Sequence, residues 1–204
     1  MRRKSTTILA LAVAACAVLV VGCPHRTDTP GGAPTPSSTP PGPPPAPLAV
    51  DLTVTSTAFQ ANAAIPKKYT GDGEDVSPPL AWAGAPAGAK EIALVCDDPD
   101  APSGTFTHWV IWGVPAATTK LPENVAKTDT VAALGAAKQG KNDAQKIGYF
   151  GPAPPAGKPH RYDFTVYALD KSIDLKPGAT ATELRGAMAG HILGVGSLRG
   201  KYGR

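Results

Sequence analysis

The sequence predicts a mainly β domain, a sandwich of two antiparallel sheets with a short helix or two on its flank. Four segments, LTVTST (52–57), EIALVCD (91–97), FTHWVIWGV (106–114) and RYDFTVYAL (161–169), are rich in β-branched and aromatic residues. Gly, Pro and Asp punctuate the chain between them, as expected for strands joined by turns. Only one stretch, TATELRGAMAGHIL (180–193), reads as a helix. That inventory, many strands and one short helix, is the pattern of a sandwich rather than of an α/β fold.

Within the helix, Thr180 or Thr182 can cap the first turn, where Glu183 also sits, and Leu184, Met188 and His191 or Ile192 fall on one side. Residues 132–146 show no firm period and read as loop. GVGSLRG (194–200) is glycine-rich but lacks the Lys-Ser/Thr of a phosphate loop.

The domain is preceded by a leader and a tether. Arg2, Arg3 and Lys4 stand before an apolar run over 8–21, the organisation of an export signal. The run ends in LVVGC, so small Gly22 directly precedes Cys23. This resembles a bacterial lipobox, in which the cysteine is acylated and becomes the mature N-terminus; simple secretion is the alternative. The expectation is therefore a signal over 1–22, lipidated Cys23, and export to a lipid-anchored place in the bacterial cell envelope. Residues 24–47 are almost wholly Pro, Gly, Ser, Thr and Ala. Such a segment cannot bury enough apolar area to offset its ordering entropy. At ~3.1 Å per residue it reaches roughly 70 Å when fully extended. The region 48–204 is the size of one domain.

Charge excludes one class of partner. The formal net charge is +4, but without Arg2, Arg3 and Lys4 the chain has 17 basic and 16 acidic residues and no basic cluster, so nucleic acid is not expected. Of three cysteines, Cys16 lies in the signal and Cys23 takes the lipid. Cys96 is then alone in the domain and no internal disulfide can form.

Alternation places the polar residues. Ile92, Leu94 and Cys96 share a strand face that next receives Asp98. His108 is expected on one face with Phe106, Val110 and Trp112. His160 and Tyr162 lead into Phe164 and Val166, with Arg161, Asp163 and Thr165 on the wetter side. Three apolar stripes thus end in Asp98, in His108 and in His160 with Tyr162, the make-up of a small-ligand pocket if the strands are neighbours. Asp100, in DPDAP, reads as turn chemistry.

Three stretches then carry a resemblance: IPKKYTGDGEDVSPPLAW, CDDPDAPSGTFTHWVIWGVP and NDAQKIGYFGPAPPAGKPHRYDFTVYAL. Over about 52–202 the chain resembles the phosphatidylethanolamine-binding protein family, in its bacterial Raf-kinase-inhibitor-like branch. The resemblance implies a Greek-key sandwich with small peripheral helices and a pocket for phosphate or a phospho-headgroup. By position it implies Asp98, Pro102 and His108 from the first signature, and Tyr149, Gly151, Ala153, Pro154, Pro155, His160 and Tyr162 from the second. Ala153 stands where eukaryotic members have glycine, and the 157–160 loop is one residue shorter than theirs. Gly71, often cysteine in bacterial relatives, is expected to be neutral for the site.

In such a pocket, backbone N–H groups at Gly151, Ala153, Ala156 and Gly157, both imidazoles and the Tyr162 hydroxyl would be the donors. Asp98 would orient an imidazole and favour its charged form, so anions would be held better below neutrality. The expected function is non-catalytic binding, without cofactor or metal, at a membrane reached through the lipid. Some relatives inhibit kinases or proteases, so an inhibitor-like or scaffold role for an unidentified protein partner falls within it. The alternative is a hydrolase using the same residues, metal-dependent or His/Asp-based. Against it, HExxH, CxxC and GxSxG are absent from the sequence, and Ser103 sits in an ordinary Pro-Ser-Gly turn.

Overall fold

The computed structural model describes residues 49–204; the expected leader and tether, with Cys23, lie outside the described residues. Ten strands run in the order β1 (Val50–Asp51), β2 (Thr53–Thr55), β3 (Leu80–Ala83), β4 (Glu91–Asp98), β5 (Phe106–Pro115), β6 (Lys120–Leu121), β7 (Thr130–Val131), β8 (Ala137–Gln139), β9 (His160–Leu169) and β10 (Ile192–Tyr202). One helix, α1 (Ala181–Met188), lies between β9 and β10. Seven strands form a sheet in the order β1-β10-β9-β4-β5-β8-β7, and β2-β3-β6 form a second. The two-sheet, mainly β architecture expected from the sequence is therefore the one observed.

The core explains the layering. Ile92, Leu94 and Cys96 of β4, Trp109 and Ile111 of β5 and Phe164 and Val166 of β9 pack in one buried cluster with Val54, Leu80, Trp82 and Leu121 of the small sheet. The opposite face of the large sheet offers Ala93, Val95, Val110 and Trp112, and Ala181, Leu184 and Met188 of α1 cover it. Each large side chain buried in this way contributes about 1.5–3 kcal/mol. With both faces covered, β4 is buried at seven of its eight positions, which is why it reads as a continuous apolar run.

α1 begins as expected and ends sooner. The Thr180 hydroxyl accepts the Glu183 N–H while the Glu183 carboxylate accepts the Thr180 N–H, a complete capping box. The helix stops at Met188 because Gly190 takes a left-handed φ of 78°. His191 and Ile192, expected on its apolar side, lie beyond it, and Ile192 opens β10. Residues 132–146, expected as loop, contain a 3₁₀ turn (Ala132–Leu134) and β8.

Two irregularities in the β4–β5 ladder shape the site. β4 pairs with β9 in unbroken register from Glu91↔Leu169 to Asp97↔Asp163. Against β5, by contrast, Cys96 faces Trp109 and Asp97 faces Thr107. His108 is thus the extra residue of a bulge in β5. The second shift, between Ile92 and Leu94, falls where Gly113 adopts φ 74°.

Candidate functional site

The first bulge corrects the expected placement of His108. Simple alternation would set it with Val110 and Trp112, but those two side chains pack under α1. A bulge turns two successive side chains toward one side of a sheet. His108 accordingly joins the other face, its ring edge-on to Tyr162 at 5.1 Å and 4.9 Å from Phe106. On this face Asp98 stands across from Phe106, so the ends of β4, β5 and β9 meet there.

Asp98 is held from two sides. Its Oδ1 accepts the Asp100 N–H at 2.8 Å and its Oδ2 accepts from His160 Nδ1 at 2.7 Å. The proline-containing turn after β4 is pinned in turn to the start of β9: Asp100 accepts the backbone N–H, Nε and Nη2 of Arg161. Asp100 therefore does more than shape its own turn.

The third wall is the segment after Tyr149. Phe150 N–H donates to the His108 carbonyl at 2.9 Å, and the Phe150 carbonyl accepts from His108 Nδ1 at 2.6 Å. The Phe150 ring stacks on the imidazole with 17° between planes. A cavity of about 190 Å³ results, walled by Asp98, Pro102, His108, Ala153, Pro154, Pro155, His160 and Tyr162, together with Ala101, Phe106 and Phe150. It is smaller than the ~300–1,000 Å³ of drug-sized sites, room for a phosphate and a few carbon atoms.

Two residues expected in the pocket stand behind it. Tyr149 is buried in the core, edge-on to Trp109, and its hydroxyl donates to the Tyr69 carbonyl at 2.7 Å. Gly151 N–H is occupied by Asp75 Oδ1 at 2.6 Å, so it is no free donor. A side chain at Gly151 would strike the backbone at Thr70 and Gly71, with 2.7 Å to the nearest atoms. Gly71 likewise packs behind the wall, since a Cβ there would lie 3.1 Å from that of Ala153.

Comparison with known proteins agrees with this architecture. The family model described as phosphatidylethanolamine-binding protein matches residues 55–203. The chain belongs to the phosphatidylethanolamine-binding protein (PEBP) family. A UPF0098 protein of Methanothermobacter thermautotrophicus is 48% identical over 153 residues, 75% of this chain and 99% of that protein. The Mycobacterium tuberculosis protein LppC, provisionally named a lipoprotein, is 39% identical over 155 residues, 76% of this chain and 73% of its own. The crystal structure of Escherichia coli YbcL, described as a new member of the mammalian PEBP family, superposes with a TM-score of 0.70 at 29% identity, covering 75% of this chain and 98% of that one.

Electrostatics in this PEBP pocket follow from burial. Desolvation lowers the His108 pKa below the ordinary histidine value, outweighing the Phe150 hydrogen bond and the charges of Asp98, Asp97 and Asp143. The ring is therefore neutral at pH 7. Tyr162 is fully buried, and its hydroxyl lies beside the Asp98 carboxylate without completing a well-aligned hydrogen bond. Burial first, then the Asp98 charge, pushes its ionisation far above the usual phenol range, so it remains a proton donor. Among the described residues, no three His, Cys, Asp or Glu side chains are grouped as a metal-holding set.

Sequence reasoning missed Ala101, Phe106 and Phe150 as walls of the PEBP pocket. Phe106 was within reach, because it shares the His108 face. Phe150 had the weaker signal of directly preceding GPAPP.

Proposed function

We propose that the chain is a non-catalytic binding protein whose pocket takes phosphate or a phospho-headgroup, held near a membrane by a lipid on Cys23. The observation that carries this reading is the convergence of Asp98, His108, His160 and Tyr162, from three strand ends, on one headgroup-sized cavity. Its walls are otherwise Pro, Ala and Phe, which give shape and dryness and leave recognition to few polar groups. Membership of the PEBP family supports the ligand class. The lipobox-like LVVGC and the name of the mycobacterial relative support the anchor. An inhibitor-like or scaffold role toward a protein partner fits the same site.

A hydrolase remains the second reading, favoured by one feature: Asp98 against His160 is the carboxylate–imidazole pair that orients a general base. The pocket walls, however, include no Ser, Thr or Cys to serve as nucleophile, and Ser103 is not among them.

Calorimetric titration of the purified domain with phosphorylethanolamine tests the binding reading. Saturable binding that is lost in Tyr162→Phe and His160→Ala supports it, and no binding by the wild type defeats it. Steady release of phosphate from p-nitrophenyl phosphate, abolished by His160→Ala, would reverse the order of the two readings.

A further inference from the structure

The geometry points to Asp143 as the residue that sets His108 in the pocket wall. It is a positioning residue outside the pocket. Its effect on ligand affinity rests on the binding reading above; its effect on the place of the imidazole does not.

The need for such a residue comes from the bulge. An extra residue in a strand sits at a break in the ladder and has no facing partner of its own. β4 holds β5 at Thr107 and Trp109, on either side of His108. Among the described residues, β5 pairs on its other edge with β8 at Ile111 and Trp112 alone. Residues 107–110 would therefore present unpaired backbone groups along that edge, next to the site, and buried groups left so are costly.

Irregular chain takes the place of the missing strand. Gly140 N–H donates to the Val110 carbonyl and Phe150 N–H to the His108 carbonyl, each at 2.9 Å. Between them in sequence, Asp143 grips Thr107 twice. Its N–H donates to the Thr107 carbonyl at 2.9 Å, and its Oδ2 accepts the Thr107 N–H at 2.6 Å. One residue thus does the work of a paired strand residue, with a side chain supplying the acceptor. The Thr107 hydroxyl donates to Asp97 Oδ1 at 2.9 Å, so Thr107 is held from both edges. Fixed one position ahead of His108, it sets the direction in which the bulge turns the imidazole. The Phe150 carbonyl then receives Nδ1 at 2.6 Å.

The turn that carries Asp143 is itself braced. Lys141 bridges to Ile147. Asn142 accepts the Gln145 N–H on its carbonyl and the Lys146 N–H on Oδ1, and its Nδ2 donates to the Gly148 carbonyl. Asn142 is buried while Asp143 is exposed, so the turn is anchored through one residue and presents the next.

Grip and charge act in opposite directions. The Asp143 charge is felt at His108, and a carboxylate there repels an anion in the pocket. Were charge its only influence, any neutral replacement would improve binding; a replacement that cannot hold Thr107 instead releases His108.

The test compares Asp143→Ala with Asp143→Asn by phosphate calorimetry and by nuclear magnetic resonance of the His108 Nδ1–H proton, which the Phe150 carbonyl protects in the wild type. Because Asp143 is exposed, neither substitution opens a core cavity. Asp143→Ala should bind inorganic phosphate at least about fivefold more weakly and lose the protected proton. Asp143→Asn, whose amide oxygen can accept the Thr107 N–H, should keep the proton and bind as tightly as wild type or about twofold tighter, free of the repulsion. Equal phosphate affinities in the two variants, or a protected proton that survives in Asp143→Ala, would overturn the inference. If the wild type binds no phosphate, the binding reading fails, and the proton alone decides: its loss in Asp143→Ala and retention in Asp143→Asn would uphold the placement of His108 by Asp143, and any other pattern would overturn it.

Discussion

Arg161 gives three hydrogens to the one carboxylate of Asp100, its backbone N–H and Nε at 2.8 Å and Nη2 at 2.7 Å. The pair locks the turn that carries Asp98, Ala101 and Pro102 onto the strand end that carries His160. Those hydrogen bonds, ahead of the Arg161 charge, hold the Asp100 carboxyl well below the usual carboxylate range.

Asp100→Asn is accordingly expected to melt a few degrees earlier and to weaken phosphate binding about fivefold, read by thermal denaturation and calorimetry. The sign with pH is set by a lowered pKa. The stabilisation is complete above the unfolded carboxylate value of ~3.9 and drains away as pH falls below it. The gap between wild type and variant should therefore close under acid.

His108 gives a second dependence in a different window. Its folded pKa is depressed by burial, so the unfolded chain takes up a proton near ~6.5 while the folded chain refuses it. Stability is fully present above that value and lost as pH falls toward the folded pKa, at about 1.4 kcal/mol for each tenfold difference in proton affinity. Urea midpoints at pH 7.5 and 5 should fall more in wild type than in His108→Gln. Saturating phosphate should recover part of the wild-type loss, since a bound anion favours imidazolium.

Gly196→Ala should be among the most damaging single-atom additions. A Cβ there would sit 2.1 Å from the Leu52 carbonyl oxygen, and backbone cannot yield as a side-chain tip does. That crossing is fixed by Leu52 N–H donating to the Val195 carbonyl at 2.8 Å. A loss of about 1–3 kcal/mol or more is expected from chemical denaturation.

Tyr149→Phe separates scaffold from site. Removing the hydroxyl leaves the buried Tyr69 carbonyl without its donor, a cost of about 1–2 kcal/mol. Phosphate affinity of the folded protein should stay within about twofold of wild type. A tenfold loss of affinity in calorimetry would return Tyr149 to the pocket.

Four strands and the helix start were legible because local chemistry dictates them: β-branched runs at 91–97 and 161–169, and a capping box at Thr180. The longest strand, β10, was not. Gly194, Gly196 and Gly200 depress its β-propensity, and the reason for them is Leu52, Phe59 and Ile65 passing close by. Only tertiary contact reveals that. The site was legible as far as stripes and their polar ends reach, which brought Asp98, His108, His160 and Tyr162 together. The face of His108 was not, because a bulge is a relation between two strands. Nor was the withdrawal of Gly151, whose partner Asp75 stands 76 positions away.

The one-residue excess in β5 behaves like a dislocation in a crystal. The strand beside it stays periodic as far as the second irregularity at Gly113, and the cavity takes its His108 wall from the place where the lattice fails to close. Excising that residue would let Thr107 and Trp109 run on as an ordinary ribbon, healing the defect while sparing the layers around it. The proposed pocket and the architecture are thus separable in heredity: a lineage could discard the first in one deletion event and still inherit the second.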